Sequence, residues 1–101
     1  MTAEPLRSTV TIKNEQGLHM RPLTAFVKLV MSFQSTVYVQ KDAQPRINGR
    51  SMIDLLTLGA EQGTELILEV SGPDQDQALK ALVALLENLD QFANADSPSA
   101  S

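Results

Sequence analysis

The sequence has no cysteine, no tryptophan and a single histidine, and only 4% of its 101 residues are aromatic. Without cysteine the chain forms neither a disulfide nor a thiolate metal site, and a cytoplasmic location is the simplest expectation. One histidine is too few for a histidine-rich zinc site, so we expect no metal. The scarcity of aromatic side chains also removes the stacking platform of an RNA-binding sheet.

Long apolar runs and an excess of positive charge are absent too. No segment approaches the roughly 20 apolar residues of a membrane-spanning helix, and the polar start of the chain shows no signal peptide, so we expect no membrane insertion. The net charge of −4 and the pI near 4.7 argue against nucleic acid as a partner, because phosphate contacts require a basic surface.

The apolar periodicity predicts one domain in the order β-α-β-β-α-β-α. Apolar residues lie mainly on one face of the strands, so three amphipathic helices are expected to cover that face and leave the other in water, as an open-faced α/β sandwich. Pro45 suits an edge strand. The predicted strands cover residues 7–13, 35–41, 45–48 and 64–71, and the predicted helices cover 20–31, 52–58 and 75–91.

Composition and capping signals set the expected boundaries. Residues 1–6 read as an N-terminal arm, 7–92 as the domain, and 93–101 as a small, polar tail that we expect to be disordered. The pattern of Ser51 with Asp54 predicts a capped start for the second helix, and that of Asp74 with Gln77 predicts one for the third. Gly59 is suited to end the second helix.

The only histidine lies where the first strand gives way to the first helix, within the segment Asn14–Pro22. Since Pro22 is tolerated in a first helical turn, His19 is predicted at about the N-cap, with Met20 and Arg21 in the first turn. Helix N-termini bind anions through free amides and the helix dipole. A neutral imidazole is also a nucleophile. This pattern indicates a histidine that is phosphorylated, although a histidine that merely caps the helix or lies exposed fits too.

Two segments resemble one known family. The run Gly17–Pro22 is similar to the Gly-[Leu/Ile]-His-x-Arg-Pro signature of HPr, the histidine-containing phosphocarrier of the bacterial phosphoenolpyruvate:sugar phosphotransferase system. The run Gly49–Ile53, followed by Leu58 and Gly59, resembles the regulatory-serine segment of that family. The resemblance spans about residues 7–91 and preserves the element order and spacing.

The resemblance implies the HPr-like open-faced β-sandwich, in which three helices cover one face of a four-stranded antiparallel sheet. It implies that His19 carries the phosphoryl group on Nδ1, taking it from phospho-enzyme I and passing it to an enzyme IIA component. Arg21 and the backbone amides of Met20 and Arg21 would bind the phosphoryl group. Such a protein is a carrier with a phosphohistidine intermediate rather than a free-standing enzyme, and we expect a monomer without a cofactor.

The resemblance also makes Ser51 a candidate for regulatory phosphorylation by a serine kinase/phosphorylase, although helix capping alone explains this serine. Asp54 replaces a residue that is often glycine in the family, and its carboxylate would repel a phosphate on Ser51.

Met52, Ile53 and Leu56 cannot all be buried at their spacing in the second helix. Together with Met20, which directly follows the histidine, they are expected to contribute to a partner-docking surface. Met20 and Leu23 stand where the family usually has small residues. Both are expected to enlarge the apolar surface beside His19 and so to alter the choice of partner.

Several alternatives stay open on the sequence. The chain would also suit a regulatory phosphocarrier of a nitrogen-related phosphotransfer chain, or a phosphotransfer domain fused or dedicated to a single partner. A non-catalytic interaction module is a different class, which the presence of both His19 and Arg21 argues against. A free-standing enzyme has little support, because the chain shows no acid/base pair, glycine-rich phosphate loop or metal set.

Overall fold

The strands and helices follow one another in the order expected from the sequence. The computed structural model describes residues 4–91. The strands are β1 (Leu6–Thr11), β2 (Thr36–Lys41), β3 (Ile47–Asn48) and β4 (Glu65–Ser71), and the helices are α1 (Met20–Met31), α2 (Met52–Leu58) and α3 (Gln75–Glu87). The expected tail at 93–101 lies outside the described residues, so its disorder and the domain boundaries stay predictions.

The four strands form one antiparallel sheet in the order β1-β4-β2-β3. β3 contains only Ile47 and Asn48 and lies at one edge, with Pro45 outside it. The edge position is as predicted, but the strand is two residues shorter than the predicted 45–48, because a proline cannot donate to a ladder. The open-faced antiparallel sandwich is therefore confirmed.

The core lies between the helices and one face of the sheet. On the central strand β4, Leu66, Leu68 and Val70 are each fully buried, while the residues between them point to the other face. The helices supply Phe26 from α1 and Leu82 from α3, which are also buried. Burial of large side chains of this kind stabilises a domain by about 1.5–3 kcal/mol each. Because the apolar side chains of β4 all lie on one face, the helices cover that face.

The opposite face of the sheet is polar. Glu69 of β4 pairs with Arg7 of β1 at 2.9 Å and with Arg46 at 2.6 Å. The Arg46 guanidinium also lies 4.1 Å from the centre of the Tyr38 ring, a cation–π contact. This charged network suits a surface in water and agrees with the predicted uncovered face.

The capping prediction for α3 was right about the N-cap residue and wrong about its hydrogen bond. Asp74 is the N-cap residue of α3, but its side chain makes no capping hydrogen bond and the predicted pairing with Gln77 does not form. The carboxylate instead accepts hydrogen bonds from the backbone N–H of Gln34 at 2.9 Å and from the backbone and hydroxyl of Ser35. Donors brought in from a distant part of the chain therefore replace the local ones.

The third helix is shorter than predicted. It ends at Glu87 rather than at residue 91, and the side chain of Asn88 donates to the Ala84 carbonyl at 2.7 Å. Leu89 is nevertheless buried, as the apolar stripe predicted. Among residues 4–91, no helix is long and apolar enough to cross a membrane.

Candidate functional site

His19 is the N-cap residue of α1, as predicted. Its backbone is extended, with φ −97° and ψ −173°, and its carbonyl accepts the first intrahelical hydrogen bond from the Leu23 N–H at 2.9 Å. The imidazole makes no capping hydrogen bond. The side chain therefore does not cap the helix, which leaves the alternative of a histidine that merely lies at the surface.

The first turn of α1 is suited to bind an anion. The amides of Met20 and Arg21 precede the first intrahelical hydrogen bond, and Pro22 has no N–H. No acidic residue belongs to this turn, so the turn itself places no carboxylate at the positive end of the helix dipole. Two backbone donors thus point to the region beside His19.

The two ring nitrogens of His19 lie in different environments. The side chain is half-buried, and Nε2 is enclosed by protein without a hydrogen-bond partner, whereas Nδ1 is not enclosed. Arg21, two residues later, is exposed, and a guanidinium offers a planar set of donors to a phosphoryl group. Among residues 4–91, no group of histidine and carboxylate side chains is arranged to hold a metal ion.

The loop before His19 is held by the connection between α2 and β4. The Leu18 N–H donates to the Ala60 carbonyl at 2.8 Å. Gly17 adopts a left-handed backbone with φ +69° and lies against the same carbonyl. Because any side chain would be strained at this φ, the signature glycine is required by geometry.

Ser51 is the N-cap residue of α2, and its hydroxyl accepts a hydrogen bond from the Asp54 N–H at 3.4 Å. The predicted cap is therefore confirmed, as is the left-handed Gly59 at the end of the helix. The carboxylate of Asp54 lies in the first turn, where a phosphate on Ser51 would meet it. Phosphorylation of Ser51 stays a prediction.

The predicted docking residues fall into two groups. Met20 is 57% exposed, Ile53 is 75% exposed and Leu56 is 41% exposed, whereas Met52 is half-buried and packs against the core. Leu23 is fully buried. The expectation that Leu23 enlarges the surface beside His19 was wrong, because this position of α1 faces the sheet.

Within residues 4–91, one large exposed apolar residue was not predicted. Met31 is 63% exposed at the end of α1. It follows Met20 by eleven residues, which is about three helical turns, so the two methionines share a face of the helix. Their spacing was the signal in the sequence that would have found Met31.

An antiparallel open-faced sandwich with a histidine and an arginine at the start of its first helix defines the class of small histidine phosphocarriers. The family model described as the PTS HPr component phosphorylation site matches residues 6–88. The chain belongs to the HPr family and is a phosphocarrier of the phosphotransferase system.

Individual relatives agree with this assignment. The chain is 39% identical to phosphocarrier protein NPr of Proteus mirabilis, with 78% of this chain and 88% of the relative covered. It is 37% identical to phosphocarrier protein HPr of Neisseria meningitidis, with 80% and 90% covered. The crystal structure of HPr-C-His from Thermoanaerobacter tengcongensis superimposes with a TM-score of 0.76 at 39% identity, and the match covers 81% of this chain and 91% of that one.

Proposed function

We propose that His19 is the residue that carries the phosphoryl group, through Nδ1. The observation that supports this most directly is that the imidazole lies at the N-cap of α1 without serving as a cap, and that Nε2 rather than Nδ1 is enclosed. A nucleophile needs an accessible lone pair, and Nδ1 is the nitrogen that a phosphoryl donor reaches.

The transfer forms one bond and breaks one. The Nδ1 lone pair attacks phosphorus while the bond between phosphorus and the donor atom of phospho-enzyme I breaks, and its electron pair stays on the donor. Charge on the three phosphoryl oxygens is stabilised by the guanidinium of Arg21 and by the amides of Met20 and Arg21. The same steps in reverse pass the group to an enzyme IIA component.

The partners are proposed to dock on the apolar residues around this site: Met20, Met52, Ile53 and Leu56, here called the docking patch. Three of the four are exposed, and α1 packs against α2. α1 contains Arg21 and Lys28 and no acidic residue, so an acidic rim on the partner would complement it. We place this exchange in the cytoplasm, in keeping with the family.

A regulatory phosphocarrier of the nitrogen type is the second candidate. The NPr relative at 39% identity favours it as much as the HPr relative at 37% favours sugar transport. The two functions predict different acceptors. The phosphorylated protein should be incubated with an enzyme IIA of each type, and the acceptor that removes the label faster identifies the pathway.

The decisive experiment for His19 is phosphorylation by phosphoenolpyruvate and enzyme I. The label should be acid-labile and base-stable, because a phosphoramidate hydrolyses when its nitrogen is protonated. His19→Ala should abolish the label, and Ser51→Ala, which leaves the imidazole in place, should retain it. Labelling that persists in His19→Ala would place the phosphoryl group on another residue.

A further inference from the structure

Asn14 is a buried polar residue in the loop between β1 and α1. The residue is only 8% exposed, and Nδ2 donates to the Gly17 carbonyl at 2.8 Å. The Gly17 N–H in turn donates to the Asn14 carbonyl at 3.2 Å. The loop is thus closed on itself by two hydrogen bonds, and one of them depends on the Asn14 amide.

This closed loop ends two residues before His19. The N–H of the next residue, Leu18, donates to the Ala60 carbonyl. The chain that enters α1 is therefore held both by its own loop and by the connection between α2 and β4. The direction in which the imidazole leaves the backbone is therefore determined by contacts that include Asn14.

Two buried side-chain atoms in residues 4–91 lack a hydrogen-bond partner, and both belong to this segment: Asn14 Oδ1 and His19 Nε2. An unpaired buried polar atom costs about 1–3 kcal/mol, so two of them within six residues need an explanation. Their chemistry is complementary. Oδ1 of an amide is an acceptor, and Nε2 is a donor whenever the ring holds its proton there.

The nucleophilic form of His19 requires that proton. Attack through Nδ1 needs a lone pair on Nδ1, so the proton of the neutral ring must lie on Nε2. Once phosphorus is bonded to Nδ1, the ring is positively charged for as long as Nε2 keeps its proton. An acceptor for Nε2–H therefore favours both the reactive tautomer and the newly formed phosphohistidine.

We propose that Asn14 is a positioning residue for His19, whose Nδ2 closes the loop on Gly17 and whose Oδ1 accepts the Nε2–H hydrogen bond in the reactive form. This proposal rests on the proposed phosphorylation of His19. It adds a role for a residue that never touches the phosphoryl group, since Nδ1 makes the bond to phosphorus and Nε2 keeps its proton throughout.

The experiment is NMR of the ¹⁵N-labelled full chain near neutral pH, combined with the rate of phosphorylation by enzyme I. The wild type should show a protected Nε2–H proton of His19. Asn14→Ala should lose that protection and react about two- to tenfold more slowly, the factor that one neutral hydrogen bond represents. Asn88→Ala is the matched control, because its amide also donates to a backbone carbonyl, that of Ala84 at 2.7 Å, and it should change neither quantity.

Asn14→Asp covers the case in which Asn14→Ala does not fold. A carboxylate keeps the acceptor but removes the donor to Gly17. The backbone hydrogen bonds from Gly17 to Asn14 and from Leu18 to Ala60 still hold the loop, so this variant should retain the protected Nε2–H proton. The proposal is overturned if the wild type shows no protected Nε2–H, if Asn14→Asp loses it, or if folded Asn14→Ala keeps it, whatever its rate. Because the NMR signature is read in the unphosphorylated protein, it is separate from the labelling experiment that tests phosphorylation of His19.

Discussion

Gly17 lies directly against the backbone of Ala60. A Cβ built on Gly17 would be 2.5 Å from the Ala60 carbonyl oxygen, well inside van der Waals contact, and the Leu18 N–H donates to that same oxygen at 2.8 Å. The segment that precedes His19 therefore packs against the connection between α2 and β4. Two parts of the chain more than forty residues apart form one support for the histidine.

Gly17→Ala should destabilise the protein by more than the same substitution does at another glycine with the same backbone conformation. Gly59 is the matched control, with φ +68° against +69° for Gly17 and only the Thr57 carbonyl near its Cβ, at 3.9 Å. Gly59→Ala should cost about 1–2 kcal/mol for the left-handed backbone, and overlap with Ala60 should add about 1–3 kcal/mol for Gly17→Ala. Denaturant unfolding measures both, and equal losses would contradict the proposed support.

Arg21→Lys should slow phosphoryl transfer without changing the fold, because an ammonium cannot match the planar donor set of a guanidinium. Removing a charge-stabilising donor costs about 2.7–4 kcal/mol of barrier in enclosed enzyme sites, and the loss here should be smaller because Arg21 is exposed. Single-turnover transfer from phospho-enzyme I is the measurement. Arg7→Lys makes the same change on the open face of the sheet and should transfer at the wild-type rate. An unchanged rate for Arg21→Lys would remove Arg21 from the mechanism.

Ile53→Glu should weaken binding to enzyme I and leave stability within about 0.5 kcal/mol, as for other surface substitutions, since Ile53 is 75% exposed. Its neighbour Met52 packs against the core, so Met52→Glu should also destabilise, by about 1–3 kcal/mol, when a carboxylate enters a partly apolar site. Ala84→Glu, at an exposed position of α3, adds the same charge outside the docking patch. Titration calorimetry with enzyme I should show weakened binding for Ile53→Glu but not for Ala84→Glu; equal affinities would rule out the patch.

Asp74→Asn should make the protein less stable at neutral pH and less sensitive to acid. The hydrogen bond from the Ser35 hydroxyl, together with that from the Gln34 amide, lowers the pKa of Asp74 below its ordinary value of 3.8. A carboxyl whose pKa is lower in the folded state stabilises the protein above its unfolded pKa, and this contribution is lost as the pH falls through the folded pKa. Thermal unfolding between pH 7 and pH 2 should show the wild type and Asp74→Asn converging below pH 3.8. A constant difference across this range would contradict the role of the ionised carboxylate.

The start of α1 could be predicted from the sequence, because the N-cap position of His19 follows from the residues immediately around it. Pro22 permits a first turn, and the apolar spacing beyond it requires a helix. The same local reasoning placed Asp74 correctly at the N-cap of α3. It failed for the hydrogen bonds of Asp74, because their donors, Gln34 and Ser35, lie about forty residues away in the chain. It failed again at Leu23, whose burial depends on which face of α1 meets the sheet.

The sequence by itself determined the order of strands and helices, the half of each strand that is buried, and the placement of His19 and Arg21 at a helix N-terminus. These properties depend on periodicity and capping, which act over a few residues. Only the tertiary structure decided the environment of the imidazole: the packing of Gly17 against Ala60, the enclosure of Nε2, and the burial of Asn14. These depend on contacts between segments distant in the chain, and neither periodicity nor local propensity specifies which backbone atoms meet there.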